Sequence, residues 1–451
     1  MYIKRKTITK KQNKKQNKQI KSRIIRKKTI QKKTVQNQEY QKKKSKEIKT
    51  QKQKQHLYFI NNCKYDNVSY LNPVYLEQHL QKLGILPDKS MKVIERIDKE
   101  FARKNKMSYK EFCNDFCYSI KNKIPSIPPR IIKADIFFYD ITKYKLSQRI
   151  YNYNKFLSNI LNINYDNILR KNILYDNVYK YSPEIATKYL IETFNIDEVE
   201  KYQFPEYYIL RPTIASGGTD IIYIHNKKEL NDAIEFYNTN KNYKGKYIYG
   251  NNVVAAKFIS DLLLFQGKKF HLRIYYMISC INNTVNTFVL DNGDIITAKE
   301  KYDLKTPFTK AKHDTHFKST EKYFTIANDF TTENLGIEMN NEIYNKIYNE
   351  IKIVCSGISK LIIKSKSNSS FLFDNQKNGF HIFGLDIFIK NDLSPVLIEC
   401  NMNPGFGTRT ENGQNILSKN IYNWINETVL EPLFKYNDPM ISRKHHTYIN
   451  L

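Results

Sequence analysis

The sequence predicts an α+β protein, and three stretches carry that prediction. His381 to Phe406, HIFGLDIFIKNDLSPVLIECNMNPGF, reads as a β-hairpin, with two apolar alternating arms joined by Asn391, Asp392, Ser394 and Pro395. Tyr207 to Leu210 and Ile221 to Ile224 read as two strands flanking a small, glycine-bearing loop, Arg211 to Asp220. Ile343, Ile347, Ile351, Val354, Ile358 and Leu361 recur by fours and threes, the stripe of a long amphipathic helix that lies directly before the hairpin.

The hairpin also carries chemistry. In its first arm Leu385, Ile387 and Ile389 alternate with Asp386 and Phe388, so a strand sets Asp386 on the face opposite the aliphatic residues. In its second arm, Val396 to Asn401, a period of two places Glu399 and Asn401 on one face. If the register makes that face common to Asp386, two carboxylates and an amide oxygen converge. Such hard oxygen donors suit Mg²⁺, which takes a few protein oxygens and completes its shell with water and phosphate. The plain alternative is a half-exposed strand showing acids to water, and the rest of the chain decides between them.

Composition bounds the function. The 451 residues suffice for two or three domains, and the net charge is +30. Residues 1–56 hold 22 Lys or Arg against only Glu39 and Glu47, so most of that surplus lies in one Lys/Gln-rich arm. The arm has too little apolar surface to fold alone and is expected to be disordered. It suits a polyanion such as nucleic acid, an acidic protein surface or an anionic membrane face, or a nuclear-import signal around Lys42, Lys43, Lys44 and Lys46; a solvated tail without a specific partner is the plain alternative. No apolar run reaches the roughly 18 residues of a membrane span. The basic N-terminus has no apolar stretch behind it, so no secretory signal is expected. Cys63, Cys113, Cys117, Cys280, Cys355 and Cys400 form no paired CxxC framework, which favours free thiols and a cytoplasmic setting over a zinc site.

From Leu57 the chain becomes globular. Met91, Ile94, Ile97 and Phe101 fall at helical spacing, and IPSIPPR (Ile124 to Arg130) leads into an extended run, Ile131 to Tyr139. The loop holding Gly217 and Gly218 could close backbone N–H groups on phosphates, although most such loops are ordinary turns. Val253 to Phe258 and Lys268 to Ile278 are further strands, and alternation in the second sets Lys269, His271 and Arg273 on one face, a strip for phosphate or carboxylate. His313-Asp314-Thr315-His316 lies in a later loop, and a final helix with Leu417, Ile421 and Trp424 ends near Pro432.

KFHLRIY (Lys269 to Tyr275), FGLDIFI (Phe383 to Ile389) and LIECNMNPG (Leu397 to Gly405), in that order, resemble the tubulin tyrosine ligase-like family of ATP-grasp carboxylate–amine ligases over roughly residues 180–435. The resemblance implies an ATP-grasp fold, with two α+β subdomains gripping ATP. The expected organisation is a basic tail (1–56), an N-terminal mixed α/β domain (57–200), the ATP-grasp central and C-terminal domains (201–437) and a C-terminal tail (438–451). It implies Asp386, Glu399 and Asn401 as Mg²⁺ ligands, and Arg211, Lys257 and Arg273 as the catalytic cations around the phosphates. Gly217 and Gly218 in the flap, and Phe258 and Ile259 in AAKFI, complete the nucleotide-contacting set. His313 and Thr315 match the family's H-L-T-N.

Departures from the family pattern stand at Asp220, where a flap glycine is expected, at His271, which replaces the aspartate of K-F-D-x-R, and at Ile296, which replaces an arginine. Ala256 replaces a polar residue near the adenine, and Arg211 replaces a lysine, exchanging a point charge for a planar fork. The activity implied is ATP- and Mg²⁺-dependent attachment of a free amino acid (Glu, Gly or Tyr) to a protein carboxylate. An acidic, tubulin-like tail is the expected acceptor, and a monomer the expected state. Two alternatives stand beside it: a pseudoenzyme that binds nucleotide or tubulin without ligation, and a nucleic-acid-binding protein working through residues 1–56.

Overall fold

A computed structural model of the chain describes residues 57–61, 73–87, 136–139, 156–158, 166–213, 220–239, 253–282, 284–304, 309–315, 324–365, 378–402, 404, 419–438 and 440. The basic arm, the helical spacing from Met91 to Phe101, Gly217 and Gly218 of the flap, and His316 lie outside the described residues.

Helices combine with largely antiparallel strand pairs, consistent with an α+β chain. In order, the strands are β1 (Leu57–Asn61), β2 (Leu86–Pro87), β3 (Ile136–Tyr139), β4 (Phe156–Ser158), β5 (Thr193–Asn195), β6 (Tyr208–Pro212), β7 (Ile222–Ile224), β8 (Val253–Lys257), β9 (Phe270–Ile281), β10 (Thr284–Val289), β11 (Asp294–Thr297), β12 (Phe324–Thr325), β13 (Asn378–Ile389) and β14 (Pro395–Asn401). The longer helices are α1 (Pro73–Lys82), α2 (Leu174–Tyr181), α3 (Pro183–Tyr189), α4 (Lys227–Thr239) and α5 (Asn341–Lys364). Among the described residues they build two sheets. The larger runs β12-β11-β9-β13-β4-β3-β1-β2, with β10 also on β9 and β14 also on β13; the smaller runs β5-β8-β6-β7 and is antiparallel throughout. β1 to β4, which the sequence reading sets in an N-terminal domain, continue the larger sheet in parallel from β13.

The two faces of the larger sheet follow the period of two along its central strands. On β9, Phe270, Leu272, Ile274, Tyr276 and Ile278 pack into a core with Ile347, Ile351, Val354 and Ile358 of α5. Tyr275 and Met277 enter the opposite core, with Leu76 and Leu80 of α1 and Trp424 of the C-terminal helix. Residues 269, 271 and 273 share the parity of that second set, so one face of β9 is cationic at one end and apolar at the other. Helix α5 forms where the stripe predicts. The Asn340 side chain accepts from Ile343 N–H at 3.0 Å and caps its start. Each of its buried Ile or Leu side chains contributes about 2 kcal/mol of apolar burial. The C-terminal helix runs past Pro432 as the π-helical segment Asn426–Tyr436, slightly beyond the expected end. The smaller sheet has its own core, where Tyr208, Leu210, Val253 and Ala255 meet Leu230, Ala233 and Tyr237 of α4. Cys280, Cys355 and Cys400 are buried and form no disulfide among the described residues.

Candidate active site

The hairpin forms with the register that brings its acids together. Asp386 lies opposite Glu399 on β14 and opposite Arg273 on β9. Strict alternation does not produce this face, because Leu397 packs into the core on the α5 side while Glu399, two residues on, points into the site. The register shifts between Asp386 and Ile387, and that bulge turns Glu399 over.

Asp386 is almost fully buried at 2% exposure and receives a forked pair from Arg273, Nε to Oδ1 at 2.5 Å and Nη2 to Oδ2 at 3.1 Å. Burial raises the Asp386 carboxyl to about 7 against the pull of that guanidinium. Glu399 is also enclosed, and burial pushes it the same way. The Lys171 ammonium, 3.0 Å from Oε2, and the Asn401 amide, 2.9 Å from Oε1, outweigh burial and hold Glu399 below the usual carboxylate range. Two adjacent carboxyls are thus pushed apart in acidity, Glu399 being the stronger acid. Gly384 makes room for Arg273. A Cβ there would lie 2.6 Å from Pro404 Cβ and 3.1 Å from Arg273 Cδ.

Two further cations lie buried nearby. Arg211, on β6, is 6% exposed, and its Nε has no hydrogen-bond partner among the described residues; burial lowers its pKa while the charge of Glu399 opposes. Lys269 is 3% exposed, with its ammonium 4.8 Å from the Phe258 ring centre and 4.6 Å from that of Phe388. Burial brings Lys269 down to about 7, opposed by Asp314 and aided by Arg211. Neither forms an ion pair with a carboxylate among the described residues. Buried cations left in that condition are costly unless an anion completes them.

Of the residues singled out from the sequence, Asp386, Glu399, Asn401 and Arg273 come together, and Arg211 lies within electrostatic reach of Glu399. Lys257 does not join them. Its side chain is 61% exposed and paired with Glu206 at 2.5 Å. Phe258 is buried edge-on to Tyr223 and His313, and Ile259 beside it is half-buried. His271 and Thr315 share a hydrogen bond of 2.7 Å, which ties the His313–Thr315 loop to β9, and His271 Nε2 is 3.8 Å from Asp386 Oδ1. His313 is held neutral, burial and Lys269 lowering it to about 4. Ile296 pairs opposite His271 across β11 and β9. Asp220 has φ +58°, the left-handed backbone a glycine accepts readily, and its carbonyl accepts from Tyr237 Oη at 2.7 Å.

Sequence reasoning leaves out Lys171 and does not rank Lys269. Alternation alone puts Lys269 in the strip with Arg273, so a signal for it exists. Lys171 sits in a turn more than 200 residues before Glu399, and no local pattern marks it. The donor set fits a hard divalent cation. Asp386, Glu399 and the Asn401 carbonyl offer oxygen only; Arg273 takes one direction on each Asp386 oxygen, Lys171 one on Glu399 Oε2 and the Asn401 amide one on Oε1, and a carboxylate oxygen can accept twice. No cluster of three or more His, Cys, Asp or Glu suited to a metal occurs among the described residues, so any ion here draws the rest of its shell from elsewhere. No helix of the described residues is long and apolar enough to cross a membrane.

Comparison with known proteins places the chain among its relatives. A probable tubulin–tyrosine ligase of Schizosaccharomyces pombe is 25% identical over 189 residues, 41% of this chain and 43% of the relative. A tubulin glycylase of Tetrahymena thermophila is 26% identical over 170 residues, covering 35% and 16% respectively. A tubulin polyglutamylase of Homo sapiens is 24% identical over 243 residues, covering 47% and 24%. The chain spans less than half the length of each of these three relatives. The model of the tubulin-tyrosine ligase family matches residues 153–437, which include every side chain of the site described above, and the chain belongs to that family.

Proposed function

We propose that this protein is an ATP- and Mg²⁺-dependent ligase of the ATP-grasp type, which joins an amino acid to a side-chain or terminal carboxylate of an acidic protein tail. The observation that carries the reading is the pair of buried cations, Arg211 and Lys269, that form no ion pair with a carboxylate among the described residues, beside the Asp386–Glu399 pair. A polyphosphate supplies the anion those cations lack. Arg211 lies on the smaller sheet, whereas Lys269 leads into β9 of the larger one. A nucleotide bound by both is therefore gripped between the sheets.

A carboxylate is a poor electrophile at neutral pH. In a reaction of this class the γ-phosphoryl group moves to the acceptor carboxylate, and the amino group of the second substrate then displaces phosphate to leave an amide. The site needs no side-chain nucleophile for this. Arg211, Lys269 and Arg273 offset charge on the transferred group, and the burial of all three strengthens each charge. Asp386, Glu399 and Asn401 are the residues that would hold a magnesium ion, which would supply positive charge against the phosphates. The relatives are named for tyrosine ligation, glycylation and polyglutamylation of tubulin. An acidic tubulin-type tail is accordingly the acceptor proposed, with Tyr, Gly or Glu as the amino acid.

The test is incubation of the purified chain with acidic peptides, a panel of amino acids, ATP and Mg²⁺, read by peptide mass. The expected outcome is an ATP-dependent gain of whole amino-acid residues that Glu399→Gln abolishes while the fold, followed by circular dichroism, is kept. No gain with any amino acid would favour a nucleotide-binding protein without ligase activity, and undiminished gain in the variant would remove Glu399 from the mechanism.

A further inference from the structure

Each acid of the site already has its own cation. Arg273 covers Asp386 and Lys171 covers Glu399, while Arg211 adds a further positive charge that acts on Glu399. Before any ligand arrives the centre is therefore neutral or positive, and a divalent ion meets little net attraction there. Protein cages that bind such ions alone offer several uncompensated carboxylates. This one does not.

Lys171 is also well placed to hold its station. Its carbonyl accepts from Thr193 Oγ1 at 2.9 Å, at the first residue of β5 in the smaller sheet, while its ammonium reaches Glu399 on β14 of the larger one. The turn that bears it is closed by Leu174 N–H on the Arg170 carbonyl at 2.9 Å. With Asn401 on Oε1 and Lys171 on Oε2, Glu399 keeps one orientation without a metal.

We propose that Lys171 is a positioning residue that acts as a tethered counter-ion to Glu399, and that it makes entry of the divalent ion conditional on the nucleotide. The phosphates of the nucleotide reverse the local charge, and the ion enters with them. This rests on the reading of Asp386 and Glu399 as metal ligands, and the experiment separates the two ideas.

Mn²⁺, which is visible by electron paramagnetic resonance, is titrated into the full chain without nucleotide, and again with a non-hydrolysable ATP analogue. Removing a unit charge a few ångströms from a dication should tighten Mn²⁺ binding to Lys171→Met, without nucleotide, by about tenfold or more. Lys171→Arg, which keeps the charge, should stay at the wild-type value. A side chain that merely held the fold together would weaken binding when removed. Equal or weaker Mn²⁺ binding by a folded Lys171→Met protein overturns the role of Lys171. If instead the gained affinity survives when Glu399→Gln is added to Lys171→Met, the ion sits elsewhere, and the metal-ligand reading falls together with the proposal.

Discussion

Replacing Arg273 by Met removes both hydrogen bonds to Asp386 and leaves a carboxyl that is 2% exposed without its counter-ion. Removing one partner of a buried ion pair costs about 3–5 kcal/mol, whereas removing both costs much less, because no isolated charge remains. Asp386→Asn alone strands Arg273, which is 12% exposed and loses less. The double variant, Arg273→Met with Asp386→Asn, should recover about 2 kcal/mol relative to the sum of the singles. The assay is urea unfolding of all four proteins followed by tryptophan fluorescence, since the single Trp424 lies in the core on the Arg273 side of the sheet. The pH dependence has a definite sign. A carboxyl raised on folding contributes stability that is lost as pH rises through its folded value. In the wild type that loss ends near the Asp386 value of about 7, whereas Arg273→Met should continue losing stability above it. Additive single effects, with a coupling below about 0.5 kcal/mol, would refute the ion pair as the element that holds Asp386.

Two more outcomes follow from the same geometry. Gly384→Ala forces a methyl to within 2.6 Å of Pro404 Cβ and 3.1 Å of Arg273 Cδ, so it should cost about 1–3 kcal/mol and weaken nucleotide binding by displacing Arg273; melts and nucleotide titrations that match the wild type would contradict it. Lys269 is charged below about pH 7 and neutral above it, so nucleotide affinity should fall as pH rises past that point, and binding should take up protons. Calorimetry in two buffers of different ionisation enthalpy measures that uptake, and Lys269→Met should abolish it.

The hairpin and α5 were legible because their causes are local. A period of two and a period near 3.6 are written in adjacent residues, and so is the Asn340 cap. The cationic strip of β9 was legible for the same reason. The bulge beyond Asp386 was not, since it arises from how Leu397 and Glu399 must face opposite sides of the sheet at once. Nor was the need for Gly384, which depends on Pro404 and Arg273 crossing above one strand.

The sequence by itself carried the α+β class and the order of the site-bearing strands, and it singled out Asp386, Glu399, Asn401 and Arg273, because side-chain chemistry and short motifs act over a few residues. Tertiary structure alone decided which cations face which acids. Arg273 went to Asp386, Lys171 to Glu399 and Lys257 to a surface pair with Glu206, leaving Arg211 and Lys269 buried with no ion pair to a carboxylate among the described residues. Charge acts through space, and in a site closed to water the nearest neighbour is set by the packing of two sheets and a turn, not by distance along the chain.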